Sequence, residues 1–74
     1  MEIKIVKSTI VRVIKGNDTW TIYQSYGVDM VTYIAILRNG GKTLPYIMEG
    51  DGEVIKVFGQ EVLDVLITSR DVKD

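Results

Sequence analysis

Residues 60–69 read QEVLDVLITS, and whether they form a strand or a helix decides the fold class. As a strand, Leu63, Val65 and Ile67 alternate with Val62, Asp64, Leu66 and Thr68, which sets Asp64 among apolar neighbours. As a helix, Gln60, Glu61, Asp64 and Thr68 share one polar stripe, and Val62, Leu63, Val65, Leu66 and Ile67 fill the rest. The helical pattern is the tidier. The β-branched content and short length favour the strand, so the preferred expectation is all-β. An α+β domain with residues 60–69 as a C-terminal helix is the alternative.

Everything upstream reads as short β runs cut by glycine, asparagine or aspartate. Residues 2–15 form one long strand or two short ones, with Ile3, Ile5, Val11 and Val13 sharing a parity. Lys7 and Thr9 break the alternation, as a bend or bulge would. Gly16-Asn17-Asp18 supplies a turn, and Thr19–Gln24 follows as a strand with Trp20 and Ile22 on one side and Thr19, Thr21 and Tyr23 on the other. Ser25–Asp29 reads as a loop. Met30–Arg38 is apolar on both parities, which predicts a central strand covered on both faces.

Asn39-Gly40-Gly41 is a tight-turn signal. The next run, Lys42–Glu49, carries Pro45, which lacks an N–H and so predicts an edge strand. Gly50-Asp51-Gly52 turns the chain into a further β-like run, Glu53–Phe58. Five to six short antiparallel strands in one 74-residue domain, residues 1–74, predict a small curled sheet or partly open barrel of SH3-like or OB-like type.

The chain has no histidine and no cysteine. The side chains most often used for acid/base, nucleophilic and transition-metal chemistry at neutral pH are therefore missing, and the expectation is a non-enzyme without cofactor or metal. Gly41-Lys42-Thr43 resembles the end of a phosphate-binding loop, but position 36 is Ile where that motif needs glycine. Glu49, Asp51 and Glu53 alternate around two glycines without the ligand spacing of a calcium loop, and read as a solvated acidic turn. Lys4, Lys7, Arg12 and Lys15 interrupt the apolar N-terminal stretch, so it resembles neither a signal peptide nor a membrane span; a cytoplasmic protein is expected.

The net charge of −1 hides an asymmetry. Residues 1–48 hold six basic and three acidic side chains, +3, whereas residues 49–74 hold three basic and seven acidic, −4. Such polarity suits subunit contacts or ligand steering, provided the fold does not interleave the two halves.

Two functions from different classes follow. The preferred one is a non-catalytic protein-interaction module, a small inhibitor or adaptor that covers a site on a larger protein and self-associates, with a dimer favoured. Small size, an apolar surplus and the lack of covalent staples support it. Its partner-binding candidates are Arg12, Lys15, Trp20, Tyr23 and Tyr26, because aromatic residues beside basic ones anchor many interfaces. On a strand, Trp20 and Tyr23 point to opposite faces, so one packs in the core and the other is free. The alternative is a nucleic-acid-binding barrel in which Arg12, Lys15, Arg38 and Lys42 meet phosphates and Trp20, Tyr23 or Tyr33 stack on bases.

Overall fold

The computed structural model describes residues 1–39 and 42–74. Five strands form one antiparallel sheet: β1 (Glu2–Lys7), β2 (Ile10–Lys15), β3 (Asp18–Tyr26), β4 (Val31–Asn39) and β5 (Lys42–Glu49). They lie in chain order, so the sheet is an open meander with β1 and β5 at its edges. Two helices follow, α1 (Asp51–Phe58) and α2 (Gln60–Ser69). The open-sheet form of the expectation is the one realised; among the described residues no β1–β5 pairing closes a barrel.

Residues 2–15 form two strands separated at Ser8-Thr9, with a bulge between Ile5 and Lys7. The broken alternation at Lys7 and Thr9 marks that bulge and turn. Gly16, at φ 62°, adopts the left-handed conformation that closes the β2–β3 hairpin. β3 runs on through Ser25 and Tyr26, which the sequence assigned to a loop. Pro45 sits on an edge strand, as a residue unable to donate to a ladder should. β4 and β5 pair from Thr32↔Glu49 to Asn39↔Lys42, so they form the expected hairpin. The turn expected at Asn39-Gly40-Gly41, and with it part of the Gly41-Lys42-Thr43 motif, lies outside the described residues.

Two expected strands are helices. Glu53–Phe58 belongs to α1, and residues 60–69 adopt the alternative reading with the same bounds. The cause is tertiary. When β5 ends, one face of the sheet still presents Val11, Val13, Ile22, Tyr33, Ala35 and Met48, and a sixth strand would lengthen that face without covering it. Helices cover it, through Val54 of α1 and Val62, Leu63 and Leu66 of α2. Val62, Leu63, Leu66 and Ser69 are buried at a spacing that places them on one helical face. Burying such side chains contributes about 1.5–3 kcal/mol each, more than the few tenths that separate β-branched from straight-chain residues in helix propensity.

Packing is one-sided. α2 lies over β1 and β2 and α1 beside β5, with Phe58 meeting Trp20 edge to face at 5.2 Å. Among the described residues no helix crosses to the other face of the sheet. β4 is therefore central but covered on one face only: Tyr33 and Ala35 are buried, whereas Ile34 is 40% exposed. This corrects the expectation that Met30–Arg38 would be covered on both faces.

Candidate protein interface

Strand register builds the uncovered face row by row. Ile10, Tyr23, Ile34 and Ile47 are successive partners across β2, β3, β4 and β5 and form one cross-strand row. The next row runs Lys4, Arg12, Thr21, Ile36 and Pro45, and a third runs Glu2, Ile14, Thr19, Arg38 and Thr43. Beyond Ile34 the face ends in Ser25, Thr32 and Glu49. Tyr23 is 41% and Ile47 61% exposed. Isoleucine is among the residues most often found inside, so an isoleucine-rich row across four strands with no helix above it is an exposed apolar patch rather than a scatter of single side chains.

Charge on this face is segregated. Lys4, Lys7 and Arg12 lie on β1 and β2, with Glu2 at the start of β1, while Arg38 stands at one end of β4 and Glu49 at the opposite end of β5. The helices on the other side carry Asp51, Glu53, Glu61 and Asp64 on their exposed surface against Lys56. The two halves of the chain do not interleave: one builds the sheet, the other the helices.

The sequence candidates divide between the two faces. Arg12 and Tyr23 stand in adjacent rows of the uncovered face, and Lys15 is exposed at the end of β2. Trp20 points to the helical side, half-buried against Phe58. Tyr26 also belongs to that side, where its hydroxyl donates to the Ser8 carbonyl at 3.1 Å and the Arg70 guanidinium stacks 5.3 Å from its ring centre. Of Trp20 and Tyr23, one packs and the other is free, as period-two alternation requires. Lys15 and Trp20 do share the rim of a shallow depression with Asn17 and Phe58, away from Tyr23.

For the alternative reading, Tyr33 is fully buried and unavailable for stacking. Its hydroxyl donates to Asp51 Oδ1 at 2.5 Å and accepts from Arg70 Nη2 at 2.8 Å. Burial, reinforced by the Asp51 contact, pushes its pKa up to about 12. Tyr23 is thus the one of those three aromatic residues that shares a sheet face with Arg12 and Arg38; the side chain of Lys42 lies outside the described residues.

The residues that make the face, Ile34, Ile36, Pro45 and Ile47, are not among the candidates that the sequence singles out. Their signal was present in β4, whose two apolar parities imply two covered faces. Glu49, Asp51 and Glu53 take structural parts: the Glu49 N–H donates to Glu53 Oε2 at 3.2 Å, and Asp51 accepts from Tyr33. Among the described residues no three acidic side chains gather as a metal site would require, and no helix is long and apolar enough to cross a membrane.

Comparison with known proteins finds no matching family model, no similar curated protein and no similar solved structure.

Proposed function

We propose that this chain is a non-catalytic protein-interaction module, and that the helix-free face of the sheet is its contact surface. The observation that carries the reading is the row Ile10, Tyr23, Ile34 and Ile47, in which Tyr23, Ile34 and Ile47 are exposed, on a domain whose two helices both pack on the other sheet face. An apolar centre with Tyr23 as a large anchor and Arg12, Arg38 and Glu49 around it has the make-up of a protein interface, where aromatic and arginine side chains supply much of the affinity. Acting by contact, the domain serves as an inhibitor or adaptor that covers a site on a partner and as a unit of self-association.

The test compares proteins captured from nuclease-treated native lysate by the wild type and by Ile34→Asp and Ile47→Asp. Both variants should keep the wild-type circular dichroism, because each side chain is already solvated in the isolated domain, and both should lose the captured proteins. Capture unchanged by either folded variant would move the contact surface elsewhere.

A second reading, nucleic-acid binding, draws on the basic residues Lys4 and Arg12 beside Tyr23 on the same face. Stacking there has one aromatic platform, and the acidic helices oppose long-range attraction.

A further inference from the structure

We infer that the occupant of the helix-free face is a second copy of this chain, docked sheet on sheet about a two-fold axis that runs across the strands between the levels of Ile34 and Ile36. The inference rests on the reading of that face as a protein interface and names its partner. Three observations lead to it.

The first is the placement of opposite charges. On β4 and β5 the outward residues run Arg38, Ile36, Ile34, Thr32 and Thr43, Pro45, Ile47, Glu49. Arg38 and Glu49 therefore stand at opposite ends of one apolar strip. A two-fold axis across the strands at the strip's centre reverses its ends while keeping each strand over its own copy. Arg38 of one subunit then lies above Thr32 of the other, whose register partner is Glu49. Symmetry repeats the contact, giving two Arg38–Glu49 pairs in one isologous interface.

The second is the apolar match. The same operation sets Ile34 over Ile36, Ile47 over Pro45 and Tyr23 over Thr21, since these residues lie one row apart on the same strands. On β3, β4 and β5 the two inward rows meet without a charge; the cations of these rows stay to one side, with Arg12 on β2 over the level of Ile10 and Lys4 on β1 over that of Lys7. An axis along the strands would instead carry the β1–β2 columns, with Lys4 and Arg12, towards the apolar columns of β4 and β5, where an unpaired charge is costly to desolvate. In the arrangement inferred here β1 stays at the rim, where solvent screens its lysines.

The third is size. Five strands at about 4.8 Å spacing and six or more residues long at about 3.3 Å per residue span a footprint of roughly 500 Å² before side-chain relief is counted. That approaches the roughly 800 Å² per partner of a standard specific interface. Two sheets packed this way keep their strands nearly aligned, as in other face-to-face sheet pairs.

The experiment is a charge-swap cycle read by sedimentation equilibrium across a micromolar dilution series of the purified protein. The wild type should sediment at twice its 8.3 kDa chain mass. Arg38→Glu and Glu49→Arg should each weaken the dimer about tenfold or more, because each sets two like-charge contacts in place of attractive ones. The Arg38→Glu/Glu49→Arg double variant should return to within about threefold of wild type. Both side chains are exposed, so all three variants should fold, as circular dichroism will show. Two results overturn the inference: a wild-type monomer at every concentration, or a dimer for which the double variant is as weak as the singles. Neither touches the lysate test above. A monomer that still captures proteins through Ile34 and Ile47 would leave the interface reading standing with a different partner.

Discussion

Among the described residues, Gln24 is the one polar side chain of the sheet buried on its packed face. Its amide nitrogen reaches Ser69 Oγ at 2.6 Å, the Leu66 carbonyl at 2.9 Å and the Ser8 carbonyl at 3.0 Å, while its Oε1 accepts from Arg70 Nε at 3.1 Å. Two bonds from Ser8 to the Asp74 carboxylate, 2.7 and 2.8 Å long, continue the tie and hold that carboxyl below its ordinary pKa. Gln24 thus fastens the last turn of α2 to the β1–β2 turn. Gln24→Leu keeps the volume but leaves those groups without their partner, and should lower stability by about 1–3 kcal/mol, read as a reduced midpoint in urea at unchanged slope. A stability equal to wild type would show that the network is replaceable by packing. Nothing in the sequence announced this role, because the partners of Gln24 lie up to 46 positions away. The orientation of its neighbours was legible: alternation alone separates Trp20 and Ile22 from Tyr23, since backbone pleating fixes it locally.

At the scale of elements, the legible parts were those set by short-range geometry. Gly16 turns β2 into β3, Pro45 marks an edge, and Ile3, Ile5, Val11 and Val13 face the core. The helices were misjudged because Val54, Ile55 and Val57 carry strand propensity, while the uncovered sheet that recruits them is assembled from residues far upstream. Gly59 makes the helix pair possible. It ends α1 and begins α2 at φ 100° and ψ 165°, and its N–H donates to the carbonyls of Val54 and Ile55. That conformation is open essentially to glycine alone. A Cβ at Gly59 would meet no atom within 4 Å, so Gly59→Ala isolates the backbone cost, and a loss of about 1–3 kcal/mol is expected. Gly52→Ala, inside α1 and equally free of neighbours, should instead stabilise by up to about 1 kcal/mol. Chemical denaturation of both variants measures the contrast. Equal effects of the same sign would mean that α1 and α2 do not meet at a glycine-specific joint.

At the scale of the whole molecule, the charge asymmetry of the sequence becomes a polarity between a sheet face bearing Lys4, Arg12 and Arg38 and helices bearing Asp51, Glu53, Glu61 and Asp64. What the sequence could not convey is that the meander leaves one apolar face without a helix, since that follows from where both helices pack. Closing two such faces on one another turns both acidic helix pairs outward and withdraws Arg12, Arg38 and Tyr23 from solvent. Protein and nucleic-acid binding then compete for one surface, and salt separates them. Binding that neutralises phosphates weakens with a log–log slope of about −0.7 per contact on single strands and about −0.9 on duplex, whereas an interface centred on Ile34 and Tyr23 responds weakly. Mixed-sequence single- and double-stranded oligonucleotides should therefore show little or no binding at about 0.15 M salt, where charges beyond about 8 Å are already screened. Fluorescence anisotropy provides the measurement. Sub-micromolar binding under those conditions, weakened by Arg12→Ala and Lys15→Ala and lost near 0.5 M salt, would make the sheet face a nucleic-acid platform and displace the protein-interface reading.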